Sequence, residues 1–414
     1  MKKILVISNG SFSNIDSNGR TLAKLFNGYD PSCLAQFCTY GTPDFNVCDN
    51  FYKVTDSDAL KSFVKRKPFG GCVVESDVNS TEGGAEVPAK KISKTPLKIL
   101  LREIVWKYGA WYGEALRCWI ENFAPDELLV FAGDNSFLLR LTEKISLRYN
   151  IPVTIYTTED YYFKDYNFFN RRKSLIFKFL RKNLVKAYND LAKVVHRGLF
   201  NTPKLTEMYK KEFSFDCRCL YAKSDIDFID NSAVKRSDVR VSYLGNLGLE
   251  RHVPLLEIAD TLSSIIPGAK LSVYGRADDR VTNQLKSNPN IELNGFVGYN
   301  EVVEIIHKSN LIVHAEKNDE MNNKDLQAAF STKIADSVCS GTPFFMYANK
   351  ELAGTDFLMN NNCAFVACDS SELEPVLRDA LMDENKRKTI VNNACKTREA
   401  CFMSGDSMVN IFNE

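Results

Sequence analysis

Residues Phe330 to Tyr347 read FSTKIADSVCSGTPFFMY. Ser331 and Thr332 are of the types that cap a first helical turn, and the helix they open runs to Gly341. Pro343 then leads into an apolar run of strand character. The first N–H groups of such a helix have no partner within it, and the dipole makes that end positive. Lys333 adds a full charge at the same place. The combination suits a phosphate or diphosphate. An ordinary capped helix would carry the same residues, so the reading depends on what surrounds it.

The surroundings alternate. Arg240 to Gly245 (RVSYLG) predicts a strand ending in glycine, followed by the loop Asn246 to Arg251 (NLGLER) and a helical run from Leu255 to Ile265. Lys270 to Gly275 and Ile291 to Val297 predict two more strands. A helix from Tyr299 to Lys308 and a strand from Asn310 to Ala315 precede the capped helix. This succession predicts βαβ units on a parallel sheet. It resembles the C-terminal half of glycosyltransferases with the two-domain B fold, above all the retaining family 4 type. Gly245, Gly275, Gly295 with Val297, and Gly341 with Pro343 fall in order on that family's positions. The resemblance is close from 240 to 350 and holds only in outline before that.

What the resemblance implies is an α/β protein with two doubly wound Rossmann-like domains facing a cleft. The boundaries expected are 1–230 for an acceptor-binding domain, 231–238 for a linker and 239–395 for a nucleotide-sugar domain. A tail, 396–414, would pack back on the first domain. The implied reaction moves a sugar from a UDP- or GDP-sugar to a glycan or lipid-linked acceptor in bacterial surface polysaccharide synthesis, without cofactor or metal. Negative charge develops on the departing diphosphate and has to be met by cations and N–H donors. Arg251 and Lys333, with Ser331 and Thr332, fall where the family places them. Asn246 replaces the arginine often found after the first glycine. The family's Glu-x7-Glu motif is broken, with Ala328 at its first position and Asp336 at its second. His314 and Glu316, at the end of the preceding strand, are placed to compensate, although a lone histidine is more often structural. Gly245, Asn246, Gly275, Phe296 and Val297 complete the nucleotide and sugar set. Phe296, Val297 and Gly298 would hold a uracil or guanine largely by main chain.

The N-terminal half opens on a strand, Lys3 to Ser8, followed by the loop Asp16 to Thr21 (DSNGRT) and a helix at Leu22. Asn18, Gly19 and Arg20 form the acceptor-side loop of this reading, which a plain turn would also explain. Gly70 to Thr95 shows no period and reads as a loop. Lys98 to Phe123 reads as helical and aromatic, its three tryptophans more in keeping with a core than with a ligand platform. Strands Glu127 to Phe131 and Val153 to Thr157 flank a helix, Phe137 to Tyr149. Ligands in open α/β sheets sit beyond the carboxyl ends of the strands. Asp134, Glu159 and Asp160 fall there and are the candidate acid/base or sugar-binding carboxylates, Asp134 the weakest. Turn chemistry alone would also place them.

Arg171 to Arg197 holds nine Lys or Arg and one acid, Asp190, which leaves 44 basic and 51 acidic residues elsewhere in a chain of net charge +1. Ile176, Leu180, Leu184, Ala187, Leu191 and Val194 follow helical spacing, with Lys178, Lys182 and Lys186 opposite. Such a basic amphipathic helix suits an anionic membrane surface, or is a solvated helix face. Nothing in the overall charge points to nucleic acid. At 414 residues the chain is expected to form two domains. Its twelve cysteines are scattered and its four histidines show no zinc-ligand spacing, so a reducing, cytoplasmic setting is expected. No stretch approaches the ~18 apolar residues of a membrane span. Two other readings compete with the transferase: a sugar-nucleotide epimerase of the same fold, and a non-catalytic binding subunit that has lost the motif acids.

Overall fold

The structure is a computed structural model describing residues 1–13, 17–76, 95–165, 174–233, 239–403 and 408–413, with only the backbone of Ser17 and Asn18 described. The chain divides into two compact units, Met1–Leu220 with Asp406–Glu414, and Tyr221–Gly405.

The first unit runs β1 (Ile4–Ile7), α1 (Ser17–Leu25), β2 (Leu34–Cys38), β3 (Asn50–Lys53), α2 (Asp56–Lys65), β4 (Gly71–Val73), α3 (Pro96–Tyr108), α4 (Glu114–Phe123), β5 (Glu127–Phe131), α5 (Ser136–Tyr149), β6 (Val153–Thr157), α6 (Leu175–Ala192), β7 (Val195–Phe200), α7 (Pro203–Glu212) and β8 (Asp216–Cys219). Its sheet has the order β4-β3-β2-β1-β5-β6-β7-β8, parallel throughout except at the β4 edge. β1 and β2 are buried at every residue because helices cover both faces, the condition under which parallel strands read as unbroken apolar runs.

The second unit runs β9 (Val241–Leu244), α8 (His252–Ile265), β10 (Leu271–Tyr274), α9 (Asp279–Ser287), β11 (Ile291–Gly295), α10 (Tyr299–Lys308), β12 (Leu311–Ala315), α11 (Glu320–Leu326), α12 (Thr332–Ser340), β13 (Phe344–Tyr347), α13 (Ala353–Asn360), β14 (Phe365–Ala367), α14 (Ser370–Met382) and α15 (Glu384–Thr397). A π-helical turn, Arg398–Met403, follows, and the last helix, α16 (Met408–Asn413), belongs to the first unit. The six strands lie all parallel in the order β11-β10-β9-β12-β13-β14. Val241, Tyr243, Val273 and Val313 fill the core on one face, and Leu244, Ile312, Phe344 and Met346 that on the other. In each unit the strand order reverses once, beside β1 and beside β9. A crevice for ligands opens at the carboxyl ends there.

The parallel α/β expectation is met in both units. Several boundaries differ. The division falls after Leu220, not at 231–238, because residues 221–231 are bonded into the second unit. The amides of Ile229 and Asn231 donate to the carbonyls of Ser340 and Gly341, and Ile226 is buried in the second core. Residues 234–238 of the expected linker lie outside the described residues. The expected tail is divided too: Phe402 is buried in the second core, whereas Met408, Ile411 and Phe412 are buried in the first. The basic helix stops at Ala192. Val194 fits a helical period by chance, but β7 begins at Val195 and pairs with β6. Arg171 to Lys173 lie outside the described residues, as does 77–94 of the expected loop. Residues 18–21 form the first turns of α1 and not a loop before it; Gly19 is buried.

Candidate functional site

The residues singled out in the second unit converge on the switch beside β9. β9 ends at Leu244, and the amide of Gly245 directly after it donates to the Tyr274 carbonyl at 2.8 Å. The Lys333 side chain lies across this glycine: a Cβ placed there would meet Lys333 Cε at 2.4 Å and Nζ at 3.3 Å. Lys333 sits in the first turn of α12, where its amide donates to the capping Ser331 hydroxyl at 3.4 Å. Gly341 closes that helix at φ 78.

The loop after Gly245 delivers Arg251. Asn246 shapes it: its Oδ1 accepts from the Gly248 amide at 2.8 Å and its carbonyl accepts from the Tyr243 hydroxyl at 2.8 Å. Leu249 and Glu250 follow with φ of 60 and 55, two successive left-handed residues without a glycine. The Arg251 guanidinium then meets Glu316 in a two-pronged pair, Nε to Oε2 at 2.8 Å and Nη2 to Oε1 at 2.7 Å. His314 Nε2 lies 3.0 Å from the same Oε1. Burial lowers the His314 pKa, against the Glu316 hydrogen bond and charge, which raise it. Burial alone would raise the Glu316 pKa, but the His314 hydrogen bond and the Arg251 charge outweigh it and bring it to about 2.

Lys333 is different. No hydrogen bond or ion pair to its ammonium group is found among the described residues. Burial first, and then the charge of Arg251, lower its pKa. The Glu316 and Asp336 charges act on it in the opposite sense, from beyond hydrogen-bond reach. Two cations therefore share the mouth of the sheet, one held in a direct carboxylate pair and the other not. Like charges so placed are stabilised by an anion between them.

Other expectations are corrected. Glu316 is nearly buried with both carboxylate oxygens on Arg251, and His314 is nearly buried against Glu316, so in this structure neither side chain is open in the way the missing motif acids would need. Ala328 is fully buried, and the Asp336 carboxylate accepts from Ser224 at 2.6 Å. Gly275 packs on the Gly245 carbonyl, where an added Cβ would come within 1.9 Å. Val297 packs into the core beside α10, while Phe296 is exposed with the Arg276 guanidinium 4.0 Å above its ring. Arg276 escaped the sequence reading, although its place directly after a strand-ending glycine was a usable signal. A separate cavity of about 590 Å³, lined by Arg240, Lys270 and Glu292 among others, opens at the amino ends of β9 and β10, the wrong end of the sheet for this fold's ligands.

In the first unit Asp134, Glu159 and Asp160 all follow strand ends. Asp134 is exposed and accepts from the Asn135 side chain at 3.1 Å. Asp160 is 2% exposed and anchors the turn beneath it, its Oδ1 3.5 Å from Lys164 Nζ. Glu159 shares Lys164 at 3.1 Å but keeps 40% of its side chain exposed, so a ligand can reach it, as it can Asp134. Tyr161, which sequence did not single out, lies by both open carboxylates: burial, then Glu159 and Asp134, raise its pKa well above normal. Among the described residues no cluster of three His, Cys, Asp or Glu side chains is arranged to hold a metal.

Neither a protein-family profile nor a curated protein sequence matches the chain. Solved structures do. Alr3699/HepE from Anabaena in complex with UDP superposes with a TM-score of 0.59 at 13% identity, over 99% of this chain and 97% of that one. WaaG, a glycosyltransferase involved in lipopolysaccharide biosynthesis, gives 0.57 at 12% identity over 97% and 96%. The lipopolysaccharide outer core galactosyltransferase WaaB gives 0.57 at 12% identity over 99% of both chains. What is shared is the fold: this chain has the two Rossmann-like units of the glycosyltransferase B fold.

Proposed function

We propose that the protein is a glycosyltransferase that moves a sugar from a nucleotide sugar to a glycan or lipid-linked acceptor. The observation that carries this is the Arg251 and Lys333 pair at the second unit's switch point, where Lys333 makes no hydrogen bond or ion pair among the described residues and feels Glu316 and Asp336 only through space. Two structures of the fold support the choice of anion, since Alr3699/HepE was solved with UDP and with UDP-glucose. In the proposed reaction an acceptor hydroxyl oxygen bonds to the anomeric carbon as the bond from that carbon to the diphosphate oxygen breaks. The electron pair leaves with the diphosphate, whose charge Arg251, Lys333 and the α12 amides meet without a metal. With retention, the departing phosphate oxygen can take the hydroxyl proton, leaving Glu159 to orient the acceptor. Phe296, backed by Arg276, offers a face for the base. All twelve cysteines are free, in keeping with a cytoplasmic setting.

The test combines nucleotide binding and transfer in three variants. Lys333→Ala and Arg251→Ala should each weaken UDP or GDP binding by about 10–100-fold, the cost of a hydrogen bond to a charged group. Glu159→Gln should leave nucleotide binding intact and slow transfer by ~10²-fold. Unchanged nucleotide affinity in both cation variants would overturn the assignment. Ala328 and the engaged Asp336 favour a second reading, a nucleotide-binding subunit without turnover. Nucleotide binding with no donor hydrolysis or transfer would select it.

A further inference from the structure

α3 is a 13-residue helix with one buried residue, Trp106. Its other apolar side chains are out of the core, and Leu97, Leu101, Ile104 and Tyr108, at spacings of four, three and four, are exposed along one face. Lys98 and Lys107 are exposed beside them. α6 repeats the pattern. Its buried residues, Ala187, Tyr188 and Leu191, all lie in its second half. In its first half Leu175 is 82% and Phe179 60% exposed, with Lys178 and Lys182 exposed on the same face.

The two helices stand side by side. Asn183 of α6 donates to Glu103 of α3 at 3.3 Å. Both are pinned at the carboxyl edge of the first sheet. Arg102 bonds Asn9 after β1, Asn135 after β5 and Asp56 at the start of α2, and Arg181 donates to the Tyr161 carbonyl after β6. From there α3 follows α2 downward, reaching Arg66 at its far end through the Tyr108 carbonyl. The turns before Arg102 and before Arg181 therefore overhang the sheet edge, by about 9 Å at the helical rise of 1.5 Å per residue.

We infer that these two overhangs form a docking surface for an anionic lipid bilayer. The charge favours that occupant. The exposed ionic groups of the overhangs are lysines, and the first three turns of α6 contain no acid. The one acid of α3, Glu103, faces inward to Ser136 and Asn183. Amphipathic helices bury their apolar face about 5–10 Å into the headgroup boundary, which the overhang matches. Among the described residues no helix is long and apolar enough to cross a membrane. The surface thus lies on a bilayer, on the side of the unit where Glu159 opens. Lys186 stands apart, since it pairs with Asp190 at 2.6 Å in the half of α6 that is packed.

The experiment is co-sedimentation of the full chain with vesicles of phosphatidylcholine alone or mixed with phosphatidylglycerol, without nucleotide, so that it is independent of the donor-site reading. Binding should require phosphatidylglycerol and fall with salt. Lys178→Glu with Lys182→Glu, and separately Leu101→Asp with Phe179→Asp, should each weaken it about tenfold or more. Lys186→Glu should change it little, and all variants should keep the wild-type unfolding temperature and UDP-induced shift. Equal binding to both vesicles, or binding to neither, overturns the inference. So does a dimer in sedimentation velocity that Phe179→Asp dissociates while vesicles capture nothing, because the face would then join two copies.

Discussion

A methyl group at Gly245 would collide with the Lys333 side chain, and one at Gly275 with the backbone carbonyl of Gly245. The two collisions have different consequences. Lys333 Cε belongs to a flexible side chain that can move aside, so Gly245→Ala should keep its unfolding temperature within about 2 °C while losing about tenfold or more in nucleotide affinity. A carbonyl held in the β9 turn cannot move cheaply, so Gly275→Ala should lose about 3 kcal/mol or more of stability. Chemical denaturation beside calorimetric titration of UDP checks both. A stable, fully binding Gly275→Ala, or a Gly245→Ala that binds as wild type, would refute the division of roles. Gly245, Arg251 and Lys333 were legible because each is fixed by local pattern: a strand-ending glycine, the loop after it, a helix cap. The duties of Glu316, Lys164 and Asp160 were not, because they depend on partners brought together by the fold. A carboxylate at a strand end reads the same whether it stays open to solvent, as Glu159 does, or is buried, as Asp160 is, although both pair with Lys164.

The elements show the same contrast between local and distant causes. Strands β5 and β6 and helix α10 match their predicted limits residue for residue, since each is bounded by turn residues. α6 was carried too far because only Lys193 and Val194 separate it from β7, with no glycine or proline to mark the change. Nothing local marked the join between 221–233 and the second unit, which is made by Arg387 of α15. Its guanidinium is buried without a carboxylate and donates instead to the carbonyls of Ser232 at 2.8 Å, Ala380 at 2.6 Å and Asn310 at 3.0 Å, with Asn231 and Ala233 each at 3.2 Å. Burial lowers its pKa to about 10, still leaving it charged at neutral pH. Lysine has a single donor group and cannot span five carbonyls. Arg387→Lys should therefore cost about 3–5 kcal/mol, read as a lower denaturant midpoint with unchanged slope. A loss under about 1 kcal/mol would show that water replaces the fork at little cost.

At the scale of the whole molecule, the chain leaves the first unit after Leu220 and returns to it for the last helix, α16. Met408, Ile411 and Phe412 are each fully buried there. Phe412 stacks on Phe26 at 6.3 Å and meets Tyr29 edge-on at 6.4 Å, while the Ile411 carbonyl accepts from buried Arg197 at 2.6 Å. The first unit's core thus borrows its closing side chains from the far end of the sequence. Burying three such side chains is worth roughly 4–8 kcal/mol, comparable to the stability of a whole domain. The sequence separates the consequences for the two units. All three tryptophans, Trp106, Trp111 and Trp119, lie in the first unit, and the Arg251 and Lys333 site lies in the second. Ending the chain at Met403 should therefore lower the unfolding transition seen by tryptophan fluorescence by 10 °C or more, at about 2–4 °C per kcal/mol. UDP binding by titration at low temperature should survive the same truncation. Phe412→Ala, at a cost of about 3–5 kcal/mol, gives the graded version if the truncated chain does not accumulate. An unshifted fluorescence transition in both would mean that α16 is a passenger on the first unit. Loss of nucleotide affinity in Phe412→Ala, at a temperature where fluorescence reports the first unit folded, would mean that the second unit needs the first to hold its site.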